Sequence, residues 1–282
     1  MGIAAAGPVP FRFGLRKSGM FRRFSRTLEL VVSFSSREIE GRYRFSFLGL
    51  IWLVAVPVIM LVMFAFVFSV IFQARWPNIE IESRSAFAVI LFVGLATHSF
   101  VSEAITRAPS AIVANAGLIC RTAVPPEVPP LSAFLVALIG FVLNALVILV
   151  AYLVVFWPGS WTGVLAVPAA LPMLPLVLGL VLLLAAGGVY VRDLVHLIGP
   201  VSMALLFLCP IFYSLENVPE SMRDALLFNP LTIPVLNMRA ALFGTEGAGV
   251  MLTMLHTVCS VLVMGIGAGA FLALKRGFDD RL

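Results

Sequence analysis

NAGLICRTAVPPEVPP, residues 115–130, is a polar interlude between two long apolar runs, and the fold follows from how it is read. It carries Arg121, Glu127 and four prolines, so it does not itself cross a membrane. Asn115 to Ala123 are compatible with helix. Pro125, Pro126, Pro129 and Pro130 then stop it, because proline lacks the N–H and clashes with the preceding turn. The expected shape is a short helix braced by a proline knuckle between two membrane helices, which suits a lever pushed by a soluble partner. The same residues also fit an ordinary connecting loop.

Away from this interlude the chain is greasy. Of its 282 residues 61% are hydrophobic and 12% charged, with mean hydropathy +1.07. A soluble domain carries roughly 25% charge, so the fold class is an all-α polytopic membrane protein without a large soluble domain. Phe45 to Ala74 is uncharged and forms a first span, which Pro57 should bend. Residues 75–84 (RWPNIEIESR) are a polar turn, and Ser85 to Ser102 is the second span. The 64 residues from Val128 to Val191 hold no charge, and Trp157-Pro158-Gly159 divides them into spans at about 131–156 and 163–188. Pro168, Pro172 and Pro175 crowd the start of the latter. Leu194 to Leu215 is a fifth span with Pro210 near its end. Gly247 to Leu274 is a sixth, whose Gly265, Gly267 and Gly269 permit close helix contact.

Residues 216–246 behave differently. Pro219, Asn229-Pro230 and Pro234 break them, Ser221-x-x-Asp224 resembles a helix start and Gly244 a stop. Two helices of about ten residues, each about 15 Å long, cannot cross about 30 Å of hydrocarbon. They fit a re-entrant helical hairpin between spans five and six, or equally an external loop with two surface helices.

Residues 1–46 form a basic N-terminal region with nine of the 19 Lys and Arg residues. Leu28, Val31, Val32 and Ile39 recur at helical spacing, and Glu38–Arg42 and Glu40–Arg44 are i,i+4 pairs in the favoured order. The reading is an amphipathic helix at the membrane interface. Ser35-x-x-Glu38 leaves open a capping box that begins a second helix. MGIAAAGPVP is too short an apolar run for a signal peptide, and Ala6 breaks the myristoylation pattern. Residues 47–275 are then a six-span domain and 276–282 a tail. With six spans, 15 basic residues fall on the side of both termini and four (Arg75, Arg84, Arg223 and Arg239) on the other. The positive-inside rule puts both termini and 115–130 in the cytoplasm and the hairpin outside.

Several chemistries are missing. No Asp, Glu, Lys or Arg lies centrally in any span, so an ion-coupled relay has no carboxylate to use. His98 is the one ionisable residue well inside a span, and a lone histidine there is more often a packing residue. His196 and His256 lack metal spacing, and Cys120, Cys209 and Cys259 read as small packing residues. Lys17 lies in GLRKSG and Lys275 precedes Arg276, so neither completes a P-loop. No nucleophile elbow or paired-carboxylate motif is present. Energy for any work must come from another subunit.

Three blocks together resemble a known family. GRYRFSFLGLIWLVAVPVIMLVMFAFVFSVIF (41–72), NAGLICRTAVPPEVPPLSA (115–133) and VYVRDLVHLIGPVSMALLFLCPIFYSLENVPESMRDALLFNPLTIPVLNMRAALFG (189–244) are similar, in order, to the opening, coupling region and external hairpin of permeases of polysaccharide-exporting ABC transporters. They are closer to O-antigen and wall teichoic acid exporters than to capsule exporters. The resemblance implies a homodimer in the inner membrane with two ATPase subunits below. ATP and magnesium would bind on the ATPase and no cofactor on this chain. A polyprenyl-linked glycan would pass between the two copies, among membrane lipids and with no nucleic acid involved. Pro125-Pro126-Glu127 departs from the family's usual FPRE, which puts Arg121 forward as the contact to the ATPase. A permease for a small lipid or drug, a membrane-embedded enzyme of glycolipid metabolism and a structural scaffold are the competing readings.

Three residue groups follow as candidates. Asn115, Gly117, Leu118, Ile119 and Arg121 would couple to the ATPase. Phe64, Phe68 and Phe72, at i, i+4 and i+8, with Phe207, Phe212 and Tyr213, would line a channel, aromatic faces attracting sugar C–H edges; lipid-facing or inter-helix packing is the alternative. Arg42, Tyr43 and Arg44 would receive a lipid diphosphate, since arginine matches phosphate geometry; simple anchoring is the alternative.

Overall fold

The computed structural model describes residues 19–44, 46–71, 84–122, 124–155, 161–278 and 281–282. Those residues are helical or in turns, with no strand among them. The helices are α1 (Gly19–Tyr43), α2 (Trp52–Phe64), α3 (Arg84–Ala111), α4 (Ala116–Thr122), α5 (Val128–Val155), α6 (Ala166–Ala169), α7 (Met173–Tyr190), α8 (Leu194–Phe207), α9 (Glu220–Leu227), α10 (Thr232–Phe243) and α11 (Gly249–Leu274). A π-helical segment, Ala65–Ile71, prolongs α2 beyond Pro57. The Trp157-Pro158-Gly159 divider and residues 75–83 lie outside the described residues.

Five segments are long and apolar enough to span a membrane: Gly49–Phe68, Ala86–Ala111, Val128–Val154, Gly163–Tyr190 and Gly249–Gly277. They match five of the six expected spans. The fifth in sequence differs. Its helix α8 ends at Phe207 after 14 residues, about 21 Å, and the chain turns at Leu208-Cys209-Pro210 instead of running on to Leu215. Pro210, with no N–H to give, falls where the helix gives way. After it, α9 and α10 form the expected bent pair, meeting at 100°. Gly244 closes α10 at φ 66°, a left-handed conformation that glycine adopts without a Cβ penalty.

Two further details correct the reading from residues. Pro129 and Pro130 do not stop a helix; they occupy the first turn of α5, where a missing N–H costs nothing. Ser35 starts no second helix, because α1 runs straight through it and its hydroxyl donates to Val31 O at 2.8 Å.

α3 is the axis of the packing. It lies against α5, α7, α8, α10 and the α2 segment, and Ile90, Leu91, Val93 and Phe100 are essentially inaccessible. Of its spanning window 72% is buried, against none for α2 and 17% for α11, so those two are the least covered of the five spans. α7 and α11 cross with backbones touching at Gly179 and Gly267, where a Cβ on Gly267 would stand 2.1 Å from Gly179 O. Gly265 and Gly269 have nothing nearby, so one glycine of the expected three makes the contact. Gly188 similarly admits Pro109 O of α3.

Candidate functional site

The end of the bundle that holds α4 gathers five described ion pairs, among Glu38, Arg42, Glu103 and Arg107 and between Glu127 and Lys275. Asn115 Nδ2 donates to Ala111 O at 2.8 Å, satisfying a carbonyl left at the end of α3. α4 follows, and Thr122 Oγ1 closes it by donating to Leu118 O at 2.6 Å. Its sides differ. Gly117, Leu118, Cys120 and Arg121 are exposed. Ile119 turns inward onto a cluster of Ile112, Ala185, Ala186, Val189, Phe271 and Phe278. The five coupling candidates are therefore neighbours, with four of them on accessible or half-accessible surface and Ile119 acting as the root.

The C-terminal residues fasten this cluster. Phe278 is buried edge-on against Phe271, and Tyr190 Oη donates to Leu274 O at 2.8 Å. Arg281 lies over the Tyr190 ring at 5.8 Å. Lys275 Nζ donates to Glu127 Oε2 at 2.6 Å, tying the end of α11 to the start of α5. Glu127 is thus engaged inside the chain.

On the other side of α4, α1 is bound to both helices that flank it. Ser35 Oγ is 3.1 Å from Ser132 Oγ of α5. Glu38 and Arg42 of α1 meet Glu103 and Arg107 of α3: Arg42 reaches Glu103 at 2.5 Å and Glu38 at 3.9 Å, while Arg107 pairs with Glu38 and lies 3.4 Å from Glu103. The other i,i+4 pair expected on α1, Glu40–Arg44, is not among the described ion pairs.

The headgroup candidates are therefore split. Arg42 is held by two carboxylates, whereas Tyr43 and Arg44 line a cavity of about 670 Å³ at the α1–α2 elbow, together with Arg37. Arg37, which the sequence reading passed over as a headgroup candidate, is exposed and lines both this cavity and the neighbouring one beside Glu38 and Arg107.

The aromatic candidates also separate. Phe68 lies between Phe64 (ring centroids 6.3 Å) and the buried Phe87 of α3 (5.5 Å), so this part of the i, i+4 row is used between helices. Phe72 lies outside the described residues. Phe207 is 62% exposed, stacks on Phe212 at 6.2 Å and accepts the Tyr213 hydroxyl on its carbonyl at 3.1 Å.

Inside the bundle, His98 Nε2 donates to Ser202 O at 2.9 Å, and Ser202 Oγ donates to Ser102 Oγ at 2.7 Å. His98 is a packing residue that hydrogen-bonds α3 to α8. His256 Nε2 donates to Pro230 O at 3.0 Å, joining α11 to the hairpin. Among the described residues no three His, Cys, Asp or Glu side chains converge on a metal position. The residue missed entirely is Arg239. Counted from the sequence as an outward charge, it is buried in α10 and donates to Ile90 O (3.2 Å), Pro210 O (2.6 Å) and Ile211 O (2.9 Å). Its neighbours Val235, Met238 and Leu242, at i−4, i−1 and i+3, were the available signal that this face is interior.

Comparison with known proteins bears on this arrangement. The family model described as ABC-2 type transporter matches residues 29–243. The chain is 27% identical over 256 residues to the O-antigen export system permease protein RfbA of Myxococcus xanthus, covering 90% of this chain and 95% of that protein. A Klebsiella pneumoniae protein of the same description is 26% identical over 212 residues, 75% of this chain and 79% of its own. A second from that organism is 23% identical over 256 residues, 90% and 95% respectively.

Proposed function

The chain belongs to the ABC-2 type transporter family, and on that premise we propose that it is the permease subunit through which a lipid-linked polysaccharide, of the O-antigen kind, is exported across the inner membrane. It is a multi-pass membrane protein of an ABC export system related to O-antigen export, not an enzyme. Two copies form the passage, and a separate pair of ATPase subunits, carrying ATP and magnesium, drives it. The observation that carries the reading is α4: a short helix with an exposed polar side, rooted by Ile119, standing between the two long helices α3 and α5.

Docking of an ATPase on Gly117, Leu118 and Arg121 delivers force to α3 and α5 directly. Both termini and α4 then face the cytoplasm and the α9–α10 hairpin the outside. The burial of Arg239 supports this polarity, since it leaves three basic residues rather than four to count on the hairpin side. Tyr43, Arg44 and Arg37 receive the diphosphate of the carrier lipid at the elbow, and Phe207, Phe212 and Tyr213 offer aromatic faces to sugar rings.

The experiment is co-expression with the ATPase of a matching export system, co-purification, and ATP-driven translocation of polyprenyl-linked glycan in proteoliposomes. Stable association and glycan-stimulated hydrolysis are expected. Translocation by this chain alone, or a chain that stays monomeric and binds no ATPase, would overturn the reading.

A further inference from the structure

The Glu38, Arg42, Glu103 and Arg107 side chains form a closed ring of ion pairs that the export mechanism above leaves unused. Each arginine faces both carboxylates and each carboxylate both arginines. The two pairs sit at i,i+4 on α1 and on α3, so the ring joins two helix faces over one turn each. The four side chains are 29–37% exposed, half-withdrawn from water, where such contacts are stronger than at an open surface.

Its position gives it meaning. Arg107 lies four residues before the end of α3, and the chain then enters α4. Beyond α4, the start of α5 is bonded to α1 through Ser132 and Ser35. α1 therefore bridges the helix that enters α4 and the helix that leaves it. α1 packs along α5 and not along α3, so the ion pairs are its described tie to α3 and apolar packing does not fix the two against each other. A ring of four paired charges fixes both rotation and slide, because any shift of one helical turn puts like charges opposite each other.

We propose that this quartet is a positioning joint that makes the interfacial helix α1 move with α3 as one body when α4 is displaced, so that force applied at α4 is carried along the membrane surface to the α1–α2 elbow. The proposal rests on the reading of α4 as the point of ATPase contact. A joint of this kind needs no change in its own pairing during a cycle, unlike a latch, which opens.

Spin labels at Ser36→Cys on α1 and Ser110→Cys on α3, both exposed positions, with Cys120 and Cys259 replaced by serine, report the joint by electron–electron distance measurement. With the ring intact, one narrow distance is expected in the isolated permease, and the same distance in the ATPase complex with and without trapped ATP. Glu38→Gln with Glu103→Gln should broaden the distribution, split it on ATP trapping and cut export at least about fivefold, the lower range for a coupling term, while ATP hydrolysis persists. Inverting all four charges together (Glu38→Arg, Arg42→Glu, Glu103→Arg, Arg107→Glu) rebuilds every pair and should restore the narrow distance and export. A wild-type distance that changes with nucleotide overturns the joint, as does a glutamine variant that stays narrow and exports normally, or a folded inversion that stays loose. Should the chain bind no ATPase, the functional reading fails, yet the widths in the isolated permease still decide the joint.

Discussion

Arg239 of α10 donates its Nη1 to Pro210 O at 2.6 Å, at the point where α8 has ended and proline offers no N–H. The neighbouring Ile211 O and, on α3, Ile90 O take the other two bonds of the same guanidinium. One buried cation thus satisfies carbonyls that the break in the fifth apolar run leaves open, and it fixes the bent pair against the central helix.

Removing that cation should be costly. Arg239→Leu leaves the Pro210 and Ile211 carbonyls unpaired, while Ile90 O keeps its bond within α3, at about 1–3 kcal/mol for each lost partner before relaxation. A loss of at least about 2 kcal/mol of stability is expected, read as a large fall in thermal unfolding temperature in detergent. Arg239→Lys should recover part of it, because an ammonium reaches fewer carbonyls than the planar fork. An unchanged unfolding temperature for Arg239→Leu would contradict the role.

The α7–α11 crossing makes a matched test. Gly267→Ala drives a methyl into Gly179 O, whereas Gly265→Ala and Gly269→Ala meet open space. The first should destabilise by about 1–3 kcal/mol through overpacking, and the other two should be neutral or slightly favourable, since alanine is the better helix former. Equal effects at all three positions would mean that the helices do not cross here.

On α4, packing and docking should come apart. Ile119→Ala empties part of the cluster with Phe271 and Phe278 and should lower stability by up to about 2–5 kcal/mol, less if the half-buried site collapses. Leu118→Ser and Arg121→Gln alter exposed positions and should leave stability within about 0.5 kcal/mol while weakening co-purification with the ATPase. A variant pair that lowers stability and leaves ATPase binding intact would remove α4 as the docking point.

The aromatic groups predict opposite outcomes as well. Phe68→Ala breaks ring contacts with Phe64 and Phe87 and should reduce stability. Phe207→Ala, at a 62% exposed position, should leave stability nearly unchanged and slow glycan export. Unaltered export by a folded Phe207→Ala variant would return that residue to a lipid-facing role.

Much of the architecture was legible in the residues. Five uncharged runs became five spanning helices, Asn115 to Ala123 gave the short α4, and Gly244 ended α10. The described part of the basic start, from Gly19 to Tyr43, is one helix, with its Val31 and Ser35 turned inward. The site was legible less evenly. Arg42, Tyr43 and Arg44 are adjacent in sequence and read as one group, but successive residues of a helix point about 100° apart, so Arg42 faces α3 while Tyr43 and Arg44 line the elbow cavity with Arg37. Glu127 read as a departure from a family pattern and proved to be the partner of Lys275, 148 residues away.

By itself the sequence determined which five runs are apolar enough to span and that the polar stretch 115–130 interrupts them. These depend on each residue's own solvation and backbone limits, and such properties survive without knowledge of neighbours. Only the tertiary structure decided that Arg239 is interior, that Gly267 and not Gly265 or Gly269 meets α7, and that Glu38, Arg42, Glu103 and Arg107 close a ring. Those outcomes depend on which helix faces which, a choice made by the summed packing of many side chains that no single stretch of sequence carries.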